Sequence, residues 1–308
     1  MLLRAWLLAA GLLVGFSITP LTVAAETPVS CGGKSLVDEI EKNDPAAYQR
    51  IRDKAAQTKN GGALFWKVDK PGVKPSWLLG TAHVTDQQIT TLPEETRAAL
   101  EAASTVALEI IDMSEASVGL TMMKTPDLVF FTDGSKLASL LTPEEFATLS
   151  GYVSAIGING EMLQGFKPWM VATFLALSPC EIKNNSSGHS TLDDVVESTA
   201  KQRGIKRVGL ETIEEQFRSM SDMAMEAQIA NLKLSIALYD RIDDSMATLK
   251  QLYLDRRIAE MFPLLEEMLK DQPQQARLVI REFQLRLIDQ RNQRMRERAL
   301  PLLEQGNA

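Results

Sequence analysis

The sequence predicts an α/β protein, with a small central, largely parallel sheet flanked by helices and a mostly helical C-terminal third. Three patterns carry this expectation. Strand, helix and strand follow one another between Trp77 and Ile111, the order of a parallel βαβ unit. A further short strand, Arg207–Leu210, stands between two helices with capping sequences. From Glu214 to Leu303 almost every segment has a helical pattern, with apolar residues at near-helical spacing.

The N-terminus has the layout of a secretory signal. Arg4 supplies a positive charge, Ala5–Phe16 is an apolar run, and Val23-Ala24-Ala25 offers small residues before Glu26. That run is shorter than the ~20 residues needed to cross a bilayer. Residues 1–25 therefore read as a cleaved signal peptide, and Glu26–Ala308 as a single periplasmic or secreted domain without a stable membrane span. Cys31 and Cys180 are the only cysteines. In an oxidising compartment such a pair points to one disulfide, worth about 4–5 kcal/mol by loop entropy. Two unpaired thiols are the alternative. The net charge is −7, with no basic stripe interleaved with aromatics, so nucleic acid is excluded as a partner.

The elements follow in chain order. Residues 35–57 read as helical, punctuated by Asn43-Asp44-Pro45. Leu64–Val68 and Trp77–Gly80 are short apolar runs separated by Pro71-Gly72 and Pro75, and read as two adjacent strands. Thr91-Leu92-Pro93-Glu94 has the form of a capping box ahead of an Ala- and Glu-rich helix. Thr105–Ile111 is β-branched and apolar, hence a strand. A helical insertion is expected at about 112–178. Asn184–Gly188 reads as a polar loop containing glycosylation sequons. Thr191 and Asp194 cap a helix over Leu192–Gln202, and Thr212 and Glu215 cap the next. The helical region extends over about 212–305, with breaks near Tyr239–Asp244 and at Asp271-Gln272-Pro273. Pro263 starts or kinks a helix within it. The methionines at 220, 223 and 225 read as packing residues. These C-terminal helices also offer a surface for self-association.

Only two histidines, His83 and His189, are present. No HExxH, GxSxG or P-loop pattern occurs. His83 follows the strand Trp77–Leu79, in the turn Gly80-Thr81-Ala82-His83, and ligands bind beyond the carboxyl ends of parallel strands. Glu109 interrupts an apolar strand and needs a metal, an arginine or a histidine as partner. Glu211 ends the strand Arg207–Leu210. Three segments thus direct His83, Glu109 and Glu211 to one rim, a donor set suited to Mn, Co or Zn. A metal-bound water would then be a nucleophile, with a spare carboxylate as base. Each residue also has a plainer reading: His83 orients a loop, Glu109 pairs with an arginine, and Glu211 sits at a helix N-terminus. His189 lies in the polar loop and reads as a surface residue.

Trp77-Leu78-Leu79-Gly80-Thr81-Ala82-His83-Val84-Thr85-Asp86 resembles the first GxxH motif of the TraB/PrgY/GumN family, which includes the Tiki proteases and is similar in fold to the erythromycin esterase and ChaN proteins. The resemblance continues through Val106–Glu109, Lys167-Pro168-Trp169, Ser178-Pro179-Cys180, Leu192-Asp193, Leu210-Glu211-Thr212 and Arg291-Asn292. It covers essentially the whole mature chain and looks closest to the exported bacterial branch. It implies a metal-dependent hydrolase, by analogy a peptidase, acting on a peptide or small molecule. It assigns His83 as a metal ligand, Glu109 and Glu211 as acidic site residues, and Arg291 as an anchor for a carboxylate or substrate. It also places Cys31 and Cys180 where that branch tends to have cysteines.

One departure stands out. The family follows its Arg-Asn helix with a strand carrying a second GxxH. Here Met295–Gln305 continues as helix to Ala308, and Gly188 directly precedes His189, so the spacing fails. The expectation is a one-histidine site with impaired hydrolysis, or a binding protein on the same fold, in a chain that is either clipped or divergent.

Overall fold

A computed structural model describes residues 29–271 and 281–308. The signal segment and the Gln272-Pro273 break fall outside these residues. Among the described residues the chain is mixed α/β, and helix dominates.

The four expected strand positions form strands: β1 (Phe65–Val68), β2 (Ser76–Leu79), β3 (Thr105–Leu108) and β4 (Lys206–Gly209). They do not form one central parallel sheet. β1 and β2 make an antiparallel hairpin, and β3 and β4 make a separate parallel pair. The expected βαβ unit thus has its parallel partner in β4 instead of β2. The physical reason lies at the C-terminus. The Trp77 amide donates to the Ala308 carbonyl at 2.8 Å, and the Ser104 amide donates to the Asn307 carbonyl at 2.9 Å. Residues 307 and 308 therefore bridge the start of β2 and the approach to β3, and take up amides that direct pairing would use. Gly306 makes the entry possible. It sits at φ 75° beyond the last helix, where a side chain would collide with the Lys74 carbonyl.

Six helices position the rim. They are α1 (Glu94–Ala102), α2 (Pro179–Ser186), α3 (Leu192–Gln202), α4 (Ile213–Ser221), α5 (Ile242–Leu254) and α6 (Gln290–Gln305). Both C-terminal capping boxes form: Thr191 with Asp194 starts α3, and Thr212 with Glu215 starts α4. The box expected at Thr91 does not. The Thr91 hydroxyl turns back to the Gln87 carbonyl, and α1 starts at Glu94 with Pro93 at the N-cap and no side-chain cap. The polar run Asn184–Gly188 is also not all loop, because its first three residues close α2. The breaks at Tyr239–Arg241 and before Met261 are 3-10 turns, with Pro263 in the first turn of the helix Met261–Met268.

Two clusters of buried side chains matter for the site. One fills the helical half around Trp169, Phe217 and Leu232, with the Trp169 ring N–H satisfied by the Leu128 carbonyl at 2.8 Å. Met223 is buried and Met220 packs against this helical cluster, in keeping with a packing role. The other lies beneath the turn after β2 and joins Ala82, Val84 and Leu192 to Tyr253 of α5. Cys31 and Cys180 form a disulfide with Cα atoms 5.6 Å apart. Beside it Asn184, buried at 3% exposure, accepts from the Val29 amide and donates to the Thr85 hydroxyl at 3.0 Å. This sequon asparagine is thus a tie between the N-terminal segment and the loop after β2.

Candidate active site

The rim begins where β2 ends. Gly80 turns the chain without a left-handed φ, and its carbonyl accepts from the Tyr253 hydroxyl at 2.7 Å. Burial, and then the charge of Asp193, pushes Tyr253 up to about 12, so it stays a neutral donor. Ala82 and Val84 are buried at 6% and 3% exposure. They pin the backbone on either side of His83, whose side chain is 62% exposed. The fold thus holds the turn by its neighbours and presents the imidazole.

His83 meets a residue that was read only as part of a family match and a helix start. Its Nδ1 lies 2.9 Å from Oδ2 of Asp193, in the first turn of α3. The two atoms are in polar contact but are not aligned as a well-directed hydrogen bond, and the pair carries opposite charges only when the ring is protonated. Oδ2 accepts no hydrogen bond from any other described group. The other oxygen, Oδ1, accepts from the Thr81 hydroxyl at 2.9 Å. Asp193 raises the His83 pKa above its ordinary value; burial opposes this, and the charge of Glu109 adds to it. Burial pushes the Asp193 carboxyl up, and the contacts with His83 and Thr81 outweigh it, holding the group below its ordinary value. An acid in the first turn of a capped helix was the sequence signal for Asp193.

The second half of the rim is built by arginine. The Arg291 Nε donates to both oxygens of Glu211, at 3.0 and 3.1 Å, and Nη2 donates to Glu211 and, at 3.0 Å, to Glu109 Oε2. The Arg291 Nη1 reaches the Leu287 carbonyl at 3.3 Å. Glu211 has no exposed side-chain surface, while Glu109 is 41% exposed. A buried carboxylate needs a partner of this kind, and Arg291 remains a cation because its two carboxylates outweigh the burial that would neutralise it. Arg294 approaches Glu211 at 3.9 Å, and Arg298 pairs with Glu215 at 2.6 Å while donating to the Leu210 carbonyl. Residues 291, 294 and 298 lie on one face of α6 by their i, i+3, i+7 spacing, a pattern present in the sequence that was missed.

Of the four expected site residues, the structure brings Glu109, Glu211 and Arg291 together, and it sets His83 against Asp193 instead. Glu109 takes an arginine, one of the three partners its position allowed. Arg291 anchors carboxylates of its own chain, and its three nitrogens are all engaged within the fold. Among the described residues no group of three or more His, Cys, Asp or Glu has metal-holding geometry. Both oxygens of Glu211 are committed to Arg291. Within the trio His83, Glu109 and Glu211, the donors left for a cation are the second imidazole nitrogen of His83 and the second oxygen of Glu109, fewer than the three protein ligands of a catalytic zinc site. The trio His83, Glu109 and Glu211, as arranged, does not fit a metal. His189 lies apart, half-buried after α2, with its amide on the Asn184 carbonyl. A cleft of 1010 Å³ opens beside this part of the molecule, lined by Asp112, Ser114, Asp194, Glu197, Lys201 and Arg207.

The fold and rim define an α/β protein with an exposed histidine and an arginine-bound carboxylate pair beyond its strand ends. The chain belongs to the TraB/PrgY/gumN family, whose sequence profile matches residues 64–308. A search of curated proteins returns no match, and neither does a search of solved structures. No helix among the described residues is long and apolar enough to cross a membrane, and the disulfide is consistent with an oxidising compartment.

Proposed function

We propose that this protein is an exported hydrolase of the TraB/PrgY/gumN type, acting on a peptide or similar small substrate, with His83 as its working group. The observation that supports the reading is the exposed imidazole at the end of β2, with one ring nitrogen against a carboxylate. Such a histidine accepts a proton from water or from a substrate group at near-neutral pH. Glu109 keeps one oxygen outside the arginine clamp and adds negative charge beside the imidazole. The clamp itself gives the buried Glu211 its partner and fixes the β3–β4 end of the rim.

The test is hydrolysis of a mixed peptide library by the purified protein, with and without added Mn, Co or Zn, next to His83→Ala. Cleavage lost in the variant supports the reading, and cleavage that persists in the variant overturns it. Dependence on metal, abolished by a chelator, would overturn the reading of His83 as a metal-independent proton acceptor.

The second reading is a non-catalytic binding protein on the same fold. The engagement of Arg291 by both glutamates favours it, because it removes Glu211 from any shared donor set. Thermal stabilisation by a ligand in the presence of chelator, with no cleavage, selects this reading.

A further inference from the structure

The contact between His83 and Asp193 is built from both sides by the fold. Leu192, which precedes Asp193, packs in the same buried cluster as Ala82 and Val84, which flank His83. The capping box of Thr191 and Asp194 fixes the first turn of α3 on which Asp193 stands. Thr81, two residues before the histidine, donates its hydroxyl to Asp193 Oδ1 and leaves Oδ2 to the imidazole alone. The burial is graded, with the Asp193 side chain 23% exposed and that of His83 62% exposed. The acid is therefore the anchored member, and the imidazole is the presented one.

A plainer role exists for Asp193. An acidic residue in the first turn of a helix is favoured by the unpaired amides there. That role accounts for an acid on α3 but not for two contacts reaching across to the β2 turn. It also gives no reason for Oδ2 to face the His83 Nδ1.

We propose that Asp193 is the positioning residue of this site. Through Oδ2 it holds the proton of the neutral His83 ring on Nδ1 and turns the Nε2 lone pair toward the rim, and Thr81 fixes the carboxylate that does so. A second group that orients an imidazole in this way sets which nitrogen works. The inference rests on the reading of His83 as the working group. It extends that reading by naming the atom, Nε2, and the residues that select it.

The experiment reads the tautomer directly. Long-range ¹H–¹⁵N spectra of the full chain resolve the histidine rings, and a His189→Asn variant assigns the signals, since the chain has two histidines. The expected result is a neutral His83 ring with its proton on Nδ1. Asp193→Asn shifts the population toward the Nε2–H form, Asp193→Glu restores part of the original form, and Thr81→Val gives a smaller shift. If peptide cleavage is found, Asp193→Asn lowers kcat by about 10–100-fold, part of the roughly 10²–10⁴-fold that a positioned general base contributes, with little change in KM. A fold change in Asp193→Asn would be visible in circular dichroism, and Thr81→Val then carries the test. A wild-type ring protonated on Nε2, or a tautomer indifferent to both Asp193→Asn and Thr81→Val, overturns the proposal. A protein that shows the Nδ1–H ring yet cleaves nothing supports the positioning and fails only the hydrolase reading.

Discussion

The two sides of the rim solve the same problem in opposite ways. On the β2 side one exposed imidazole faces one carboxylate, and Asp193 Oδ2 has only that partner. On the β3–β4 side two glutamates share one guanidinium, and every nitrogen of Arg291 is engaged. Burial explains the difference. Glu211 has no exposed side-chain surface and would be costly to leave unpaired, whereas His83 is mostly in water and tolerates a single contact. Tightly satisfied groups give a fold its shape. Partly satisfied groups at a strand end are the ones left to meet a ligand.

The largest effect should come from breaking the clamped side. Arg291→Met leaves Glu211 as an uncompensated buried charge, and breaking such a pair costs about 3–5 kcal/mol. Urea unfolding measures it. The double variant Arg291→Met, Glu211→Met should recover much of that loss, because it removes both charges together. A single variant less than about 1 kcal/mol below wild type would mean that water reaches Glu211, and the contrast between the two sides would fail.

The joint between the two strand pairs comes next. Gly306 combines a positive φ with a close approach to the Lys74 carbonyl. Gly306→Ala should destabilise by about 1–2 kcal/mol, from the strained conformation and the displaced bridge of Asn307 and Ala308. Hydrogen exchange at the Trp77 and Ser104 amides would show the cause, with both becoming faster. Unchanged protection at these amides would detach the joint from the rim.

The β2 side should answer in function and not in stability. His83→Ala removes a mostly exposed ring whose one charged contact is also partly exposed, so unfolding free energy should move by no more than about 0.5 kcal/mol. Cleavage or ligand binding should be lost in the same variant. A loss of stability comparable to that of Arg291→Met would make His83 a structural residue and erase the difference between the sides.

Local signals were legible wherever the chain speaks to itself over a few residues. The capping boxes at Thr191 and Thr212 and the four strand positions are of this kind, whereas the Cys31–Cys180 pair, 149 residues apart, was legible because the chain has only those two cysteines. Thr91 misled because its hydroxyl turns back to donate to the Gln87 carbonyl and lies away from the helix start, whose N-cap position falls to Pro93. The division into two strand pairs was illegible, since it depends on Asn307 and Ala308 meeting residues some 200 positions away in the sequence. The same distance explains the site. His83, Glu109 and Glu211 were found because each breaks a local pattern at a strand end. Asp193 was passed over as one more acid at a helix start, and the choice of arginine for Glu109 was one of three partners that sequence alone left open.

The smallest effect tests how far the clamped side extends. Glu215 pairs with Arg298 on α6, but both side chains are partly exposed, at 29% and 43%. Arg298 lowers the Glu215 carboxyl to about 2 despite opposing burial. A depressed carboxylate pKa stabilises the fold above the unfolded value, about 4.3, and that contribution is lost as pH falls through the folded value. Solvent screening limits such a pair to about 0.2–1 kcal/mol. Glu215→Gln should therefore cost that much at pH 7, and the difference from wild type should shrink between about pH 5 and pH 2. Urea unfolding at pH 7, 4 and 2.5 follows the trend. If Glu215→Gln instead matches Arg291→Met, partial exposure does not weaken the pairs on α6. The strength of the clamp would then come from the row of arginines as a whole and not from the burial of Glu211.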